Sequence, residues 1–111
     1  MAELTIDPTT FAELQATAGA DFVVELVDTF AEEAPQMLAE LWSAYGAAAA
    51  ERFRRAAHSL KSNSNTFGAV RLAEMARALE LGGLPHGAAP LEALAAELDG
   101  TLAALKALAR G

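Results

Sequence analysis

Apolar residues recur every three or four positions along almost the whole chain, broken only by short glycine or proline stretches. That period is the period of α-helices burying one face each, so it restricts the chain to packed helices. Ala and Leu abound while only 6% of residues are aromatic. Strands would call for more β-branched and aromatic side chains. The 111 residues suffice for one domain with one core.

Asp7 followed by Pro8 reads as an N-cap with proline at the first helical position. A short helix then carries Phe11, Leu14 and Ala18, and Gly19 ends it. Asp21 caps the next segment, in which Phe22, Leu26, Phe30, Met37, Leu41 and Tyr45 recur at helical spacing. Pro35 should kink this helix rather than end it, because the stripe resumes at Met37 and Leu38.

Gly46 closes that segment, and a third helix is expected from Ala47 to Phe67. Its inward residues are Phe53, Ala56, Ala57, Leu60, Ser64 and Phe67, with Gly68 as punctuation. Leu72, Met75, Ala76 and Leu79 mark a fourth helix. Gly82 to Gly87 form a loop, and Pro90 opens a fifth helix with Leu91, Leu94, Leu98, Leu102, Leu105 and Leu108 inward. Short connections between amphipathic helices imply antiparallel neighbours. The expected fold is all-α: an up-down antiparallel four-helix bundle with a short extra N-terminal helix, one domain over residues 1–111.

The net charge of −7 disfavours nucleic acid and anionic membranes as partners. There is no cysteine, which removes disulfides and thiolate metal sites. No apolar stretch approaches the roughly 20 residues that cross a bilayer. The segment from Met1 to Asp7 lacks the basic and apolar blocks of a signal peptide, so a cytoplasmic location is expected.

His58 is the residue that this pattern does not absorb. At roughly 100° per residue it lies about 200° from Leu60 around the helix, so a buried Leu60 turns His58 outward. Its helical neighbours are Arg54 and Arg55 one turn before, Lys61 and Ser62 one turn after, and Asn65 two turns after. None is a large apolar residue. Helix phase excludes a core histidine, while local chemistry alone leaves an idle surface histidine open.

Other chemistries lack their partners. The di-iron bundle pattern Glu-x-x-His is absent. So are Gly-x-Ser-x-Gly and any glycine-rich phosphate cradle. His86, in the Gly/Pro loop, is assigned no role. A neutral imidazole, with a free pKa of about 6.5, is an uncharged nitrogen nucleophile that accepts a phosphoryl group from an acyl phosphate. Charge then spreads over the peripheral oxygens, which a nearby cation such as Lys61 stabilises. Ser62 is small and adds a hydroxyl donor.

The run His58-Ser-Leu-Lys61-Ser62-Asn-Ser64, followed by Phe67-Gly68-Ala69, resembles the signature of histidine-containing phosphotransfer (HPt) domains. The usual pattern is His-x-Leu-Lys-Gly-Ser/Ala-Ser/Ala, then an apolar residue, Gly and Ala. The resemblance extends to Asp7-Pro8, Gly19-x-Asp21-Phe22, Phe30, Pro35 and Leu79-Glu80, and so covers essentially the whole chain. Two departures stand out: Ser62 replaces the common glycine, and Asn63 the usual small residue.

The resemblance implies a phosphorelay carrier without ATP-binding or autokinase machinery. It would accept a phosphoryl group on His58 from a receiver-domain phospho-aspartate and pass it to another receiver. Lys61 would stabilise phosphoryl charge and Ser62 would add a hydrogen bond. Arg54, Arg55 and Asn65 are candidate partner or phosphoryl contacts. The implied partners are response-regulator receiver domains, with a hybrid sensor kinase upstream. The carrier would be a monomer with no cofactor of its own, and Mg²⁺ would come with the receiver. Docking would use the second and third helices around His58. Two other readings stay open here: a non-phosphorylatable four-helix interaction or dimerisation module, and a kinase dimerisation domain.

Overall fold

The computed structural model describes residues 5–110. Residues 1–4 and Gly111 lie outside the described residues, and with them most of the segment read for a signal peptide. The helices are α1 (Pro8–Ala18), α2 (Ala20–Gly46), α3 (Ala50–Thr66), α4 (Val70–Gly82) and α5 (Ala89–Arg110). α3 packs against α2 and α4, and α5 closes the ring between them, while α1 lies along α2. This is the expected four-helix bundle with a short leading helix.

Local chemistry explains the ends. Asp7 caps α1: its carboxylate accepts from the Thr9 N–H at 3.0 Å and the Thr10 hydroxyl at 3.1 Å. α2 runs unbroken through Pro35. At the end of α3, the Gly68 N–H bonds Asn65 O and the Ala69 N–H bonds Ser64 O, with Gly68 at φ 76°. These are the paired bonds of a Schellman cap with a left-handed residue at its centre. The Ala49 N–H to Ala44 O and Ala48 N–H to Tyr45 O bonds build the same cap after α2. There the left-handed residue is Ala48, at φ 53°.

The inward face of α3 is as expected: Phe53, Ala56, Ala57, Leu60, Ser64 and Phe67 are all buried. The Ser64 hydroxyl donates to Leu60 O at 2.6 Å, which satisfies it inside the core. Phe67 also meets Phe30 of α2, ring centres 5.2 Å apart.

Several details differ from expectation. Phe22 is half exposed, and Val23 and Val27 hold the core positions instead. The stripe of α2 is centred about 100° away from Phe22 around the helix. Asp21 is not the cap of α2; Gly19 holds that place and Asp21 lies in the first turn. α3 starts at Ala50 rather than Ala47, because the cap around Ala48 uses the intervening residues. Ala18 and Leu108 are exposed and Leu102 is half-buried, whereas Thr101 is buried, its hydroxyl on Glu97 O at 2.8 Å.

Gly68 ties the short helix to the bundle: its carbonyl accepts from the Asp7 N–H at 2.7 Å. A Cβ at this position would stand 2.9 Å from Thr10 Cβ and 3.0 Å from Asp7 O. Strain at positive φ adds to that clash. Gly68→Ala is expected to destabilise the domain by about 2–3 kcal/mol, lowering its melting temperature by about 10 °C. Thermal melting followed by circular dichroism measures this, and an unchanged midpoint contradicts the docking assigned to Gly68.

Candidate functional site

Leu60 and Ala57 point into the core at full burial, so His58 between them faces out, its side chain 55% exposed. What lies beneath it comes from the next helix. Leu79 of α4 is buried, and its neighbour Glu80 is thereby held against α3 with only 10% of its side chain exposed. Glu80 Oε2 lies 2.6 Å from His58 Nδ1, and Oε1 lies 2.8 Å from Lys61 Nζ. Lys61, one turn after His58, is itself three-quarters covered. One carboxylate from α4 thus joins the two α3 residues that the sequence placed on a common face.

The two contacts differ in kind. The imidazole contact is a short charge-assisted hydrogen bond. The Lys61 ammonium approaches Oε1 off the direction of a good hydrogen bond, so this second contact is chiefly an ion pair. Lys61, then His58, hold the Glu80 carboxyl below its ordinary pKa, against a smaller opposing effect of burial. An ionised carboxylate only accepts, so the hydrogen between Oε2 and the ring sits on Nδ1. In the neutral ring that leaves the lone pair on Nε2, which has no hydrogen-bond partner among the described residues.

The remaining candidates separate around this cluster. Arg54 is held by Glu51 of its own helix at 2.7 and 2.9 Å, a pairing that keeps the Glu51 carboxyl below its ordinary pKa. Arg55 reaches the same carboxylate only at 3.9 Å. It borders a groove of about 470 Å³ between α2 and α3, where Met37 and Ala56 meet the charged Glu33, Glu40 and Arg52. Arg52 spans that groove, bonding Glu40 twice at 2.9 Å and the Ser43 hydroxyl at 2.9 Å.

Asn65 lies on the other side, in a smaller cleft between α3 and α4 that Lys61 also lines. Ser62 is exposed beside His58. Asn63 folds back to donate to Ser59 O at 2.8 Å. His86 is exposed in the connection between α4 and α5 and forms no hydrogen bond to His58.

Glu80 is the site residue whose contact sequence reasoning missed. It is separated from His58 by 22 positions, and the one signal was an acid directly after the buried Leu79.

The fold has a counterpart among solved structures. The crystal structure of histidine-containing phosphotransfer protein B (HptB) from Pseudomonas aeruginosa PAO1 superposes with a TM-score of 0.76 at 28% identity. The match covers 98% of this chain and 94% of that one. A search of curated protein sequences gives no match. The family model for the Hpt domain matches residues 25–107, a span from the first turns of α2 almost to the end of α5 that includes His58, Lys61 and Glu80. The chain therefore belongs to the Hpt domain family, whose members carry phosphoryl groups in phosphorelays rather than act as kinases.

Proposed function

We propose that His58 Nε2 is the phosphoryl acceptor of this carrier. The observation that supports this most is the 2.6 Å contact between Glu80 Oε2 and Nδ1, which directs the free lone pair to the exposed nitrogen. The donor is the phospho-aspartate of a receiver domain. Nε2 attacks phosphorus, the bond from phosphorus to the aspartyl oxygen breaks, and the electron pair leaves on the receiver's carboxylate. The ring is now substituted on Nε2 and still carries its hydrogen on Nδ1, so it becomes cationic. Glu80 faces that positive charge directly. Attack by the aspartate of a second receiver reverses the same steps.

Lys61 balances the charge of Glu80 and of the phosphoryl oxygens. Ser62 leaves Nε2 accessible and offers its hydroxyl to a phosphoryl oxygen. Mg²⁺ enters with the receiver, and the carrier contributes no cofactor. A hybrid sensor kinase supplies the first receiver, and the carrier works as a cytoplasmic monomer. No helix among the described residues is long and apolar enough to cross a membrane.

Incubation with a phosphorylated receiver tests the reading. The domain is expected to acquire acid-labile, base-stable label; no label would point instead to a four-helix interaction module.

The groove between α2 and α3 is the proposed docking face, with Arg55 as its available cation. Arg54 is already neutralised by Glu51 and contributes less. Arg55→Ala should slow association with a receiver roughly threefold to tenfold at low salt, an effect that fades as salt rises, while Arg54→Ala should stay near wild type. Stopped-flow association at two ionic strengths distinguishes them, and equal losses would refute the division of roles.

A further inference from the structure

Glu80 serves the His58 ring and the Lys61 ammonium with one carboxylate, and the second is poorly seated. Its Oε1 is buried without a well-directed hydrogen bond, although Lys61 Nζ is 2.8 Å away. Lys61 also borders a cleft of about 140 Å³ between α3 and α4, and Arg77 lines the same cleft. Arg77 is exposed and has no ion pair among the described residues. It stands three residues before Glu80 on α4, the spacing at which Glu51 and Arg54 close a 2.7 Å pair on α3.

Phosphorylation would upset this arrangement. A phosphoryl group adds about −1.5 to −2 of charge by analogy with other phosphorylated side chains. The cation already in the cluster is Lys61, and its contact with Oε1 is the longer and less well directed of the two that Glu80 makes. Turning Lys61 toward the phosphoryl oxygens strips that buried oxygen of its partner, while Oε2 stays on the ring, and a buried polar atom left without a partner is costly. Resting on His58 as the acceptor, we infer that Arg77 is the exchange partner that takes over Glu80 when Lys61 turns to the phosphoryl group. No covalent bond changes in the exchange; one cation replaces another on the same carboxylate. Arg77 is thus a positioning residue acting through Glu80.

The test is the phosphoryl-transfer equilibrium between a receiver and the full chain. It is measured for wild type, Arg77→Ala and Arg77→Lys, each with Glu80 and with Glu80→Gln. Arg77→Ala is expected to shift the equilibrium roughly threefold to tenfold toward the receiver, and Arg77→Lys to restore most of it. With Glu80→Gln no charge needs a new partner, so Arg77→Ala should have little further effect.

An Arg77→Ala effect of equal size in both backgrounds overturns the exchange, because Arg77 would then act on the phosphoryl group or receiver directly. No effect in either background overturns it as well. If Glu80→Gln accepts no phosphoryl group, the Arg77 Nε–H resonance in wild type decides: it should shift on phosphorylation, and an unmoved resonance contradicts the exchange. Absence of label on the wild type overturns the acceptor assignment itself, which is a separate outcome.

Discussion

Replacing His58 by glutamine is expected to reduce phosphoryl acceptance by roughly three orders of magnitude or more, as removal of a nucleophile does elsewhere. Glutamine is polar enough for the exposed site and keeps a donor toward Glu80, so the paired Glu80 and Lys61 stay in place. The side chain contributes no core packing, since Leu60 and Ala57 on either side do that work. The melting temperature should therefore hold within about 3 °C. Loss of label without loss of fold is the combination the account requires. Retained label would move the acceptor elsewhere, first to His86, the other of the chain's two histidines.

Glu80 should give the second large effect. Glu80→Ala removes both the acceptor for Nδ1–H and the charge facing the phosphorylated ring. Transfer from a receiver is expected to slow about 10–100-fold, the scale seen when the partner that orients a metal-bound imidazole is removed. Glu80→Gln should fall between, because its amide oxygen still accepts from Nδ1–H but offers no negative charge. Single-turnover transfer rates separate the three proteins. Equal rates would show that the tautomer and the ring charge do not depend on this residue.

The same carboxylate predicts a pH dependence of stability. Lys61 and His58 depress its pKa in the folded protein. Its contribution is therefore present above the unfolded glutamate value of about 4.3, and is lost as pH falls through the lower folded value. The stability gap between wild type and Glu80→Gln should be level near neutrality and close in the acid range. A gap that failed to close at strongly acid pH would contradict the ionised state assigned to Glu80.

The parts of this molecule that were legible in the sequence are those governed by helix period and local chemistry. The face of α3 is the clearest case. Polar Arg, Lys, Ser and Asn residues flank Phe53, Ala56, Ala57 and Leu60, so only one phase is allowed, and it turns His58 outward. The Asp7 cap and the break at Gly68 were equally plain.

α2 was harder. Phe22, Val23, Val24, Leu26 and Val27 form a nearly continuous apolar run, so more than one stripe fits. Side-chain size favoured Phe22, but packing against the rest of the bundle selected Val23 and Val27. In α5 an unbroken row of leucines concealed that Thr101 lies nearer the middle of the buried face than Leu102 or Leu108. A hydroxyl satisfied by its own helix costs little there.

Glu80 was out of reach for another reason. Helix phase assigns a face, but not which residue on the next helix stands opposite. The distances to His58 and Lys61 arise only when α3 and α4 pack. The same packing separates Arg54, Arg55 and Asn65, which share the outward side of α3 in the sequence but face different surroundings in the bundle.

The most direct measurement is the position of the phosphorus on the ring. The domain, labelled with ¹⁵N in histidine, is phosphorylated by a receiver, and ³¹P–¹⁵N coupling identifies the bonded nitrogen. Glu80 holds Nδ1–H, so phosphorus is expected on His58 Nε2. Phosphorus on Nδ1, or on any residue other than His58, would contradict the account.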